Sequence, residues 1–91
     1  MKKIVARLFI KDSSIAAFKS LIPELIEKTR AEKGCLCYSL FEDVTCPGAF
    51  LFYEEYRDQA AVNLHMSSAY LQSFLRDSAE MQSRKPIIDI I

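Results

Sequence analysis

His65 is the only histidine in the 91-residue chain, and imidazole is the side chain that ordinarily takes up and returns protons near neutral pH. It ends a short segment, Gln59 to His65, that Asp58 can cap as a helix, just before the Ser67-Ser68 break. It is a candidate general base, with a structural or helix-end role as the alternative. The second candidate is Glu54. Phe50, Phe52, Glu54 and Tyr56 share one face of a strand by its period of two, which places a carboxylate in a row of aromatic rings. Desolvation on such a face favours the neutral acid, whereas a nearby cation favours the charged form. Glu54 is therefore either a pocket acid or part of an ion pair or hydrogen bond that fixes strand or dimer geometry, with Arg7 of the first strand as a partner. Tyr38, Tyr53, Tyr56 and Tyr70 can pack as hydrophobes or line an apolar cavity while offering a hydroxyl to a ligand.

Other chemistries find little support. No Ser/His/Asp arrangement and no glycine-rich phosphate loop can be traced. Cys35, Cys37 and Cys46 lack C-x-x-C spacing, and one histidine cannot join them in a metal site, so neither metal nor cofactor is expected. Cys35 and Cys37, two apart on a strand, are expected to point the same way as small hydrophobes in a reduced, cytoplasmic setting. Twelve basic residues balance twelve acidic ones without a basic stripe, which argues against nucleic acid as a partner. No apolar run approaches the roughly 20 residues of a membrane span, and the start Met1-Lys-Lys-Ile-Val-Ala lacks a signal-peptide core, so no membrane association is expected.

The elements that must position these residues follow from periodicity. Lys3 to Ile10 reads as a strand with Ile4, Ala6, Leu8 and Ile10 on one face and Val5, Arg7 and Phe9 on the other, both largely covered. Asp12, Ser13 and Ser14 offer capping oxygens to a helix whose apolar stripe is Ile15, Phe18, Leu21, Ile22, Leu25 and Ile26. Pro23 should kink that helix or split it in two, and Gly34 should act as its C-terminal cap. Cys35 to Asp43 reads as a strand with Leu36, Tyr38, Leu40 and Glu42 on one side. The turn Thr45-Cys46-Pro47-Gly48 then joins it to a strand from Ala49 to Tyr56. Ser67 or Ser68 caps a helix that turns Leu71, Phe74, Leu75 and Met81 inward, and Ile87 to Ile91 form a last strand. The order β-α-β-β-α-β is that of an α+β, ferredoxin-like fold: an antiparallel sheet with helices on one face, in one domain over residues 1–91. With 51% apolar residues in so short a chain, apolar surface is left to cover a partner, and a homodimer is expected.

The stretch Glu32-Lys-Gly34-Cys-Leu-Cys-Tyr38, then Phe50-Leu-Phe-Tyr-Glu54-Glu-Tyr56, then Asp58, Ala61, His65 and Phe74, resembles the antibiotic-biosynthesis monooxygenase family. The resemblance implies a dimeric α+β barrel with a small-molecule pocket between each sheet and its helices. It also implies oxidation of phenolic or quinol-like substrates by molecular oxygen, without flavin or metal. His65 and Glu54 would then be catalytic, with Tyr38, Tyr56, Tyr70, Phe74 and Arg7 around the substrate. Phe52 to His65 is similar as well to the branch that isomerises a phosphorylated keto sugar in autoinducer-2 breakdown, whose phosphate would need Arg7, Lys11 or Arg57. A non-catalytic dimeric binding module is the third possibility, because one fold hosts many functions.

Overall fold

The computed structural model describes Met1–Ile91. Strand β1 (Lys2–Phe9) leads through a single 3-10 turn to helix α1 (Ile15–Arg30). Strands β2 (Cys35–Glu42) and β3 (Ala49–Tyr56) precede helices α2 (Gln59–Met66) and α3 (Ala69–Ser78), and β4 (Ile87–Ile90) ends the order. The sheet runs β2-β3-β1-β4 with every neighbouring pair antiparallel, the ferredoxin-like arrangement expected. The second half of the pattern is carried by two short helices.

Alternation sets which face each strand covers. Ile4, Ala6, Leu8, Phe50, Phe52, Glu54 and Tyr56 are all buried beneath the helices. Phe18 of α1 joins the layers, with its ring centroid 4.7 Å from that of Phe50 on β3 and 5.8 Å from that of Phe74 on α3. Replacing so enclosed a ring with alanine costs about 3–5 kcal/mol. The opposite sheet face is only partly covered: Val5 and Phe9 are half-buried, while Arg7 and Phe41 are exposed.

Several local expectations need correction. Helix α1 is not split in two: it runs unbroken past Pro23, which lies on its exposed side, where water can reach the Lys19 carbonyl that Pro23 cannot serve. The side chains of Asp12, Ser13 and Ser14 make no capping hydrogen bond. Gly34 does not cap α1, which ends at Arg30 with Ala31 as its C-cap, and its φ is not positive; among the glycines only Gly48, in the β2–β3 turn, adopts a positive φ, of 89°. A register shift between Cys35 and Cys37 interrupts the period of two and leaves Leu36 exposed. Cys35 therefore packs against the core, while the Cys37 sulfur meets the Ser39 hydroxyl, and the two cysteines do not share a face.

Candidate active site

Helix α2 carries His65 and is fixed at both ends. The Asp58 carboxylate accepts from the Ala61 N–H at 2.9 Å at its start, and the Ser68 hydroxyl donates to the His65 carbonyl at 2.7 Å at its end. Ala61, Val62 and His65 turn inward, leaving the imidazole 2% exposed. Its Nδ1 lies 3.0 Å from Glu32 Oε2 and its Nε2 3.9 Å from Glu54 Oε1. The Tyr56 hydroxyl donates to that same Glu54 oxygen at 2.7 Å, and the Tyr70 hydroxyl donates to Glu32 Oε2. A line of polar groups thus runs Tyr70–Glu32–His65–Glu54–Tyr56 through a largely apolar interior, hydrogen-bonded except where His65 and Glu54 face each other at 3.9 Å. The rings of Tyr38 and Tyr56 flank the imidazole at 5.4 and 5.3 Å between centroids.

As a carboxylate, Glu32 can only accept, so it places a proton on Nδ1 and turns the Nε2 lone pair toward Glu54. Burial raises the Glu54 pKa above the ordinary carboxylate value, and Glu32 adds to this; the Tyr56 hydrogen bond and His65 oppose it. Tyr56 and Tyr70 are held as hydrogen-bond donors. Tyr56 and Tyr38 are pushed well above the usual phenol range, first by burial and then by Glu54, and Tyr70 rises to about 12 through burial and its bond to Glu32. Beside the line, the buried Glu32 Oε1 has no hydrogen-bond partner. No group of three His, Cys, Asp or Glu side chains is disposed to hold a metal ion.

The line borders a cavity of about 170 Å³ between the sheet and the α2–α3 layer. Tyr38, Glu54, His65 and Phe74 line it directly. Tyr56 stands behind Glu54 without lining the cavity, and Tyr70 reaches it only through Glu32. Arg7 requires correction: it is on the opposite sheet face, exposed, with its guanidinium 5.3 Å from the Phe9 ring centroid, and it neither lines the cavity nor pairs with Glu54. A larger open groove of about 730 Å³ runs between α1 and β2, but it lies away from His65 and Glu54. Glu32 is the residue not singled out by side-chain chemistry. Its contact with His65 spans 33 positions, and the only signal was its place in the Glu32-Lys-Gly34 motif.

Comparison with known proteins places the sequence and the fold. The family model described as antibiotic biosynthesis monooxygenase matches residues 1–77. A crystal structure of an antibiotic biosynthesis monooxygenase superposes with a TM-score of 0.95 at 35% identity, covering 100% of this chain and 96% of the other. A Bacillus subtilis protein, provisionally named a monooxygenase, is 32% identical over 78 residues, covering 86% of this chain and 82% of its own length. A Synechocystis protein of uncharacterized function is 31% identical over 87 residues, 96% of this chain, which spans 59% of that relative.

Proposed function

The chain belongs to the antibiotic biosynthesis monooxygenase family, and from that premise we propose that it is a cofactor-independent monooxygenase oxidising a small phenolic or quinol-like substrate with molecular oxygen. The observation that carries the reading is the fully buried His65, held between Glu32 and Glu54 on the wall of an apolar cavity. Such a site can take a proton from a phenol and enclose the anion away from water.

In the proposed reaction His65 Nε2 accepts the phenolic proton while Glu32 steadies the imidazolium through Nδ1. The phenolate passes one electron to oxygen, and the resulting radical pair forms a carbon–oxygen bond, giving a ring peroxide anion. His65 returns its proton to the outer peroxide oxygen to give the hydroperoxide; the hydrogen on the oxygenated carbon then leaves as a proton while the O–O bond breaks, and the departing hydroxide takes up that proton. One oxygen atom stays on the ring, the other leaves as water with two substrate hydrogens, and the phenol becomes a quinone. Glu54, held protonated by burial to higher pH than an exposed acid, can donate to the developing peroxide oxygen.

The half-covered sheet face, with Val5, Phe9, Phe41 and Leu51, suits a second copy of the chain, and the free cysteines suit a reducing, cytoplasmic setting. The isomerase reading is weakened because no lysine or arginine lines the cavity to hold a phosphate. The binding-module reading is weakened because the cavity is open and has His65 on its wall. The test is oxygen uptake by metal-free, flavin-free protein across quinols and phenols, with His65→Ala as control. Uptake should fall about 100-fold or more in the variant, as expected for loss of a general base; equal rates in both proteins would remove the proposed base.

A further inference from the structure

We propose that this cavity takes a single six-membered aromatic ring, with its hydroxyl toward Glu54 and His65, and that β4 sets the limit on ring number. The inference rests on the proposed reading for its chemistry, but its dimensions come from the cavity alone. An apolar cavity of about 150 Å³ accommodates one benzene ring, and this one measures about 170 Å³.

The lining has two distinct ends. Register places Tyr38, Glu54, Ile4 and Ile90 in one row across the sheet, and Leu40, Phe52, Ala6 and Ile88 in the next. His65 stands above the Glu54 end, while the second row offers only carbon. Ala6, paired with Phe52 on one side and Ile88 on the other, has the smallest side chain in that floor. A ring seated there directs its hydroxyl toward the acid and the base.

The walls differ in how far they can yield. On the inner side Phe52 and Phe74 meet edge to face at 6.0 Å, and Phe74 is backed in turn by the fully buried Phe18. On the outer side stand Ile88 and Ile90 of β4, a four-residue edge strand whose residues are all exposed. A second fused ring adds four carbons and can pass only by displacing β4. Ile88 and Ile90 are both more than half exposed, so truncating either costs the core little, and of the two Ile88 lies in the apolar row away from Glu54.

The test is anaerobic calorimetric titration with phenol, 1-naphthol and 1-anthrol, so that binding is read without turnover. Phenol should bind at least tenfold more tightly than either larger ring, and Ile88→Ala should improve 1-naphthol binding at least tenfold while leaving phenol within about threefold. Ala6→Leu, if folded by circular dichroism, should abolish phenol binding. Naphthol binding as tight as phenol to the unaltered protein, or no phenol binding, overturns the inference. Aerobic oxygen uptake with hydroquinone and naphthohydroquinone separates the two claims. Phenol-selective binding without uptake of oxygen sinks the monooxygenase reading alone; His65-dependent uptake with the two-ring substrate only sinks the single-ring inference alone.

Discussion

Replacing Gly34 with alanine should damage stability and the site together, and the geometry states why. A Cβ built on Gly34 would fall inside van der Waals contact with the Ala61 Cβ and lie 3.4 Å from the Ala61 Cα. The φ of Gly34 is not positive, so the cost is steric rather than torsional. The loop cannot simply retreat, because the Gly34 carbonyl accepts from the Arg57 N–H at 2.8 Å and the Lys33 carbonyl from Arg57 Nη2 at 3.0 Å. Overpacking of this kind costs about 1–3 kcal/mol, which for a domain of this size lowers Tm by roughly 5–20 °C. Ala61 and His65 are one helical turn apart, so moving α2 outward also lengthens the 3.0 Å contact between His65 and Glu32. The decisive assay is a double-mutant cycle by urea unfolding. Ala61→Gly alone should cost about 1 kcal/mol for glycine within a helix. Combined with Gly34→Ala, it should recover about 1–2 kcal/mol relative to the sum of the two single effects, along with oxygen uptake. Strict additivity, within about 0.5 kcal/mol, would refute the argument that Gly34 is required by its close approach to α2.

Two further outcomes follow from the electrostatics. Burial raises the folded-state pKa of Glu54 above its unfolded value of 4.5, so between the two values the folded protein holds the extra proton and its stability falls as pH rises. Glu54→Gln removes that loss, so its stability relative to the parent should improve from pH 4 to 7 by about 1.4 kcal/mol per unit of separation; a variant that grows relatively less stable over that range would show the carboxylate to be net stabilising. Among the thiols, burial and Glu32 push Cys35 up to about 11, whereas Cys46 is exposed. Iodoacetamide at pH 7.5 should label Cys46 at least tenfold faster than Cys35, as read by peptide mass spectrometry, and equal rates would contradict the environment assigned to Cys35.

What the sequence made legible was local. Ala49–Tyr56 alternates without interruption, so the period of two placed Glu54 beside Tyr56 on the buried face, where the structure joins them by a hydrogen bond two residues apart. Asp58 before an apolar helix was legible as its cap for the same reason. The errors came from distant contacts or a broken period. Gly34 follows a helix and so suggested a cap, but it answers to Ala61, 27 positions away along the chain. The bulge at Cys35 and Cys37 cannot be seen in a pattern that assumes strict alternation. Arg7 is instructive in the opposite sense: alternation had set it with Val5 and Phe9, away from Ile4, and only the search for a cation near Glu54 drew it toward the pocket.

The distribution of imperfect polar burial argues that the site is more than a packed core. A buried polar atom without a partner costs about 1–3 kcal/mol, and a core selected for stability alone would replace such atoms with carbon. Here Glu32 Oε1 lacks a partner and Glu54 carries a raised pKa, and both lie around His65 rather than scattered through the sheet. Away from the site the interior is largely apolar and aromatic, from Phe18 through Phe50 to Leu8 and Ile10, and the buried Ser78 hydroxyl there is satisfied by the Phe74 carbonyl. Local departures from good packing that converge on one imidazole beside a ring-sized cavity are what proton-transfer chemistry requires, and stability alone supplies no reason to keep them.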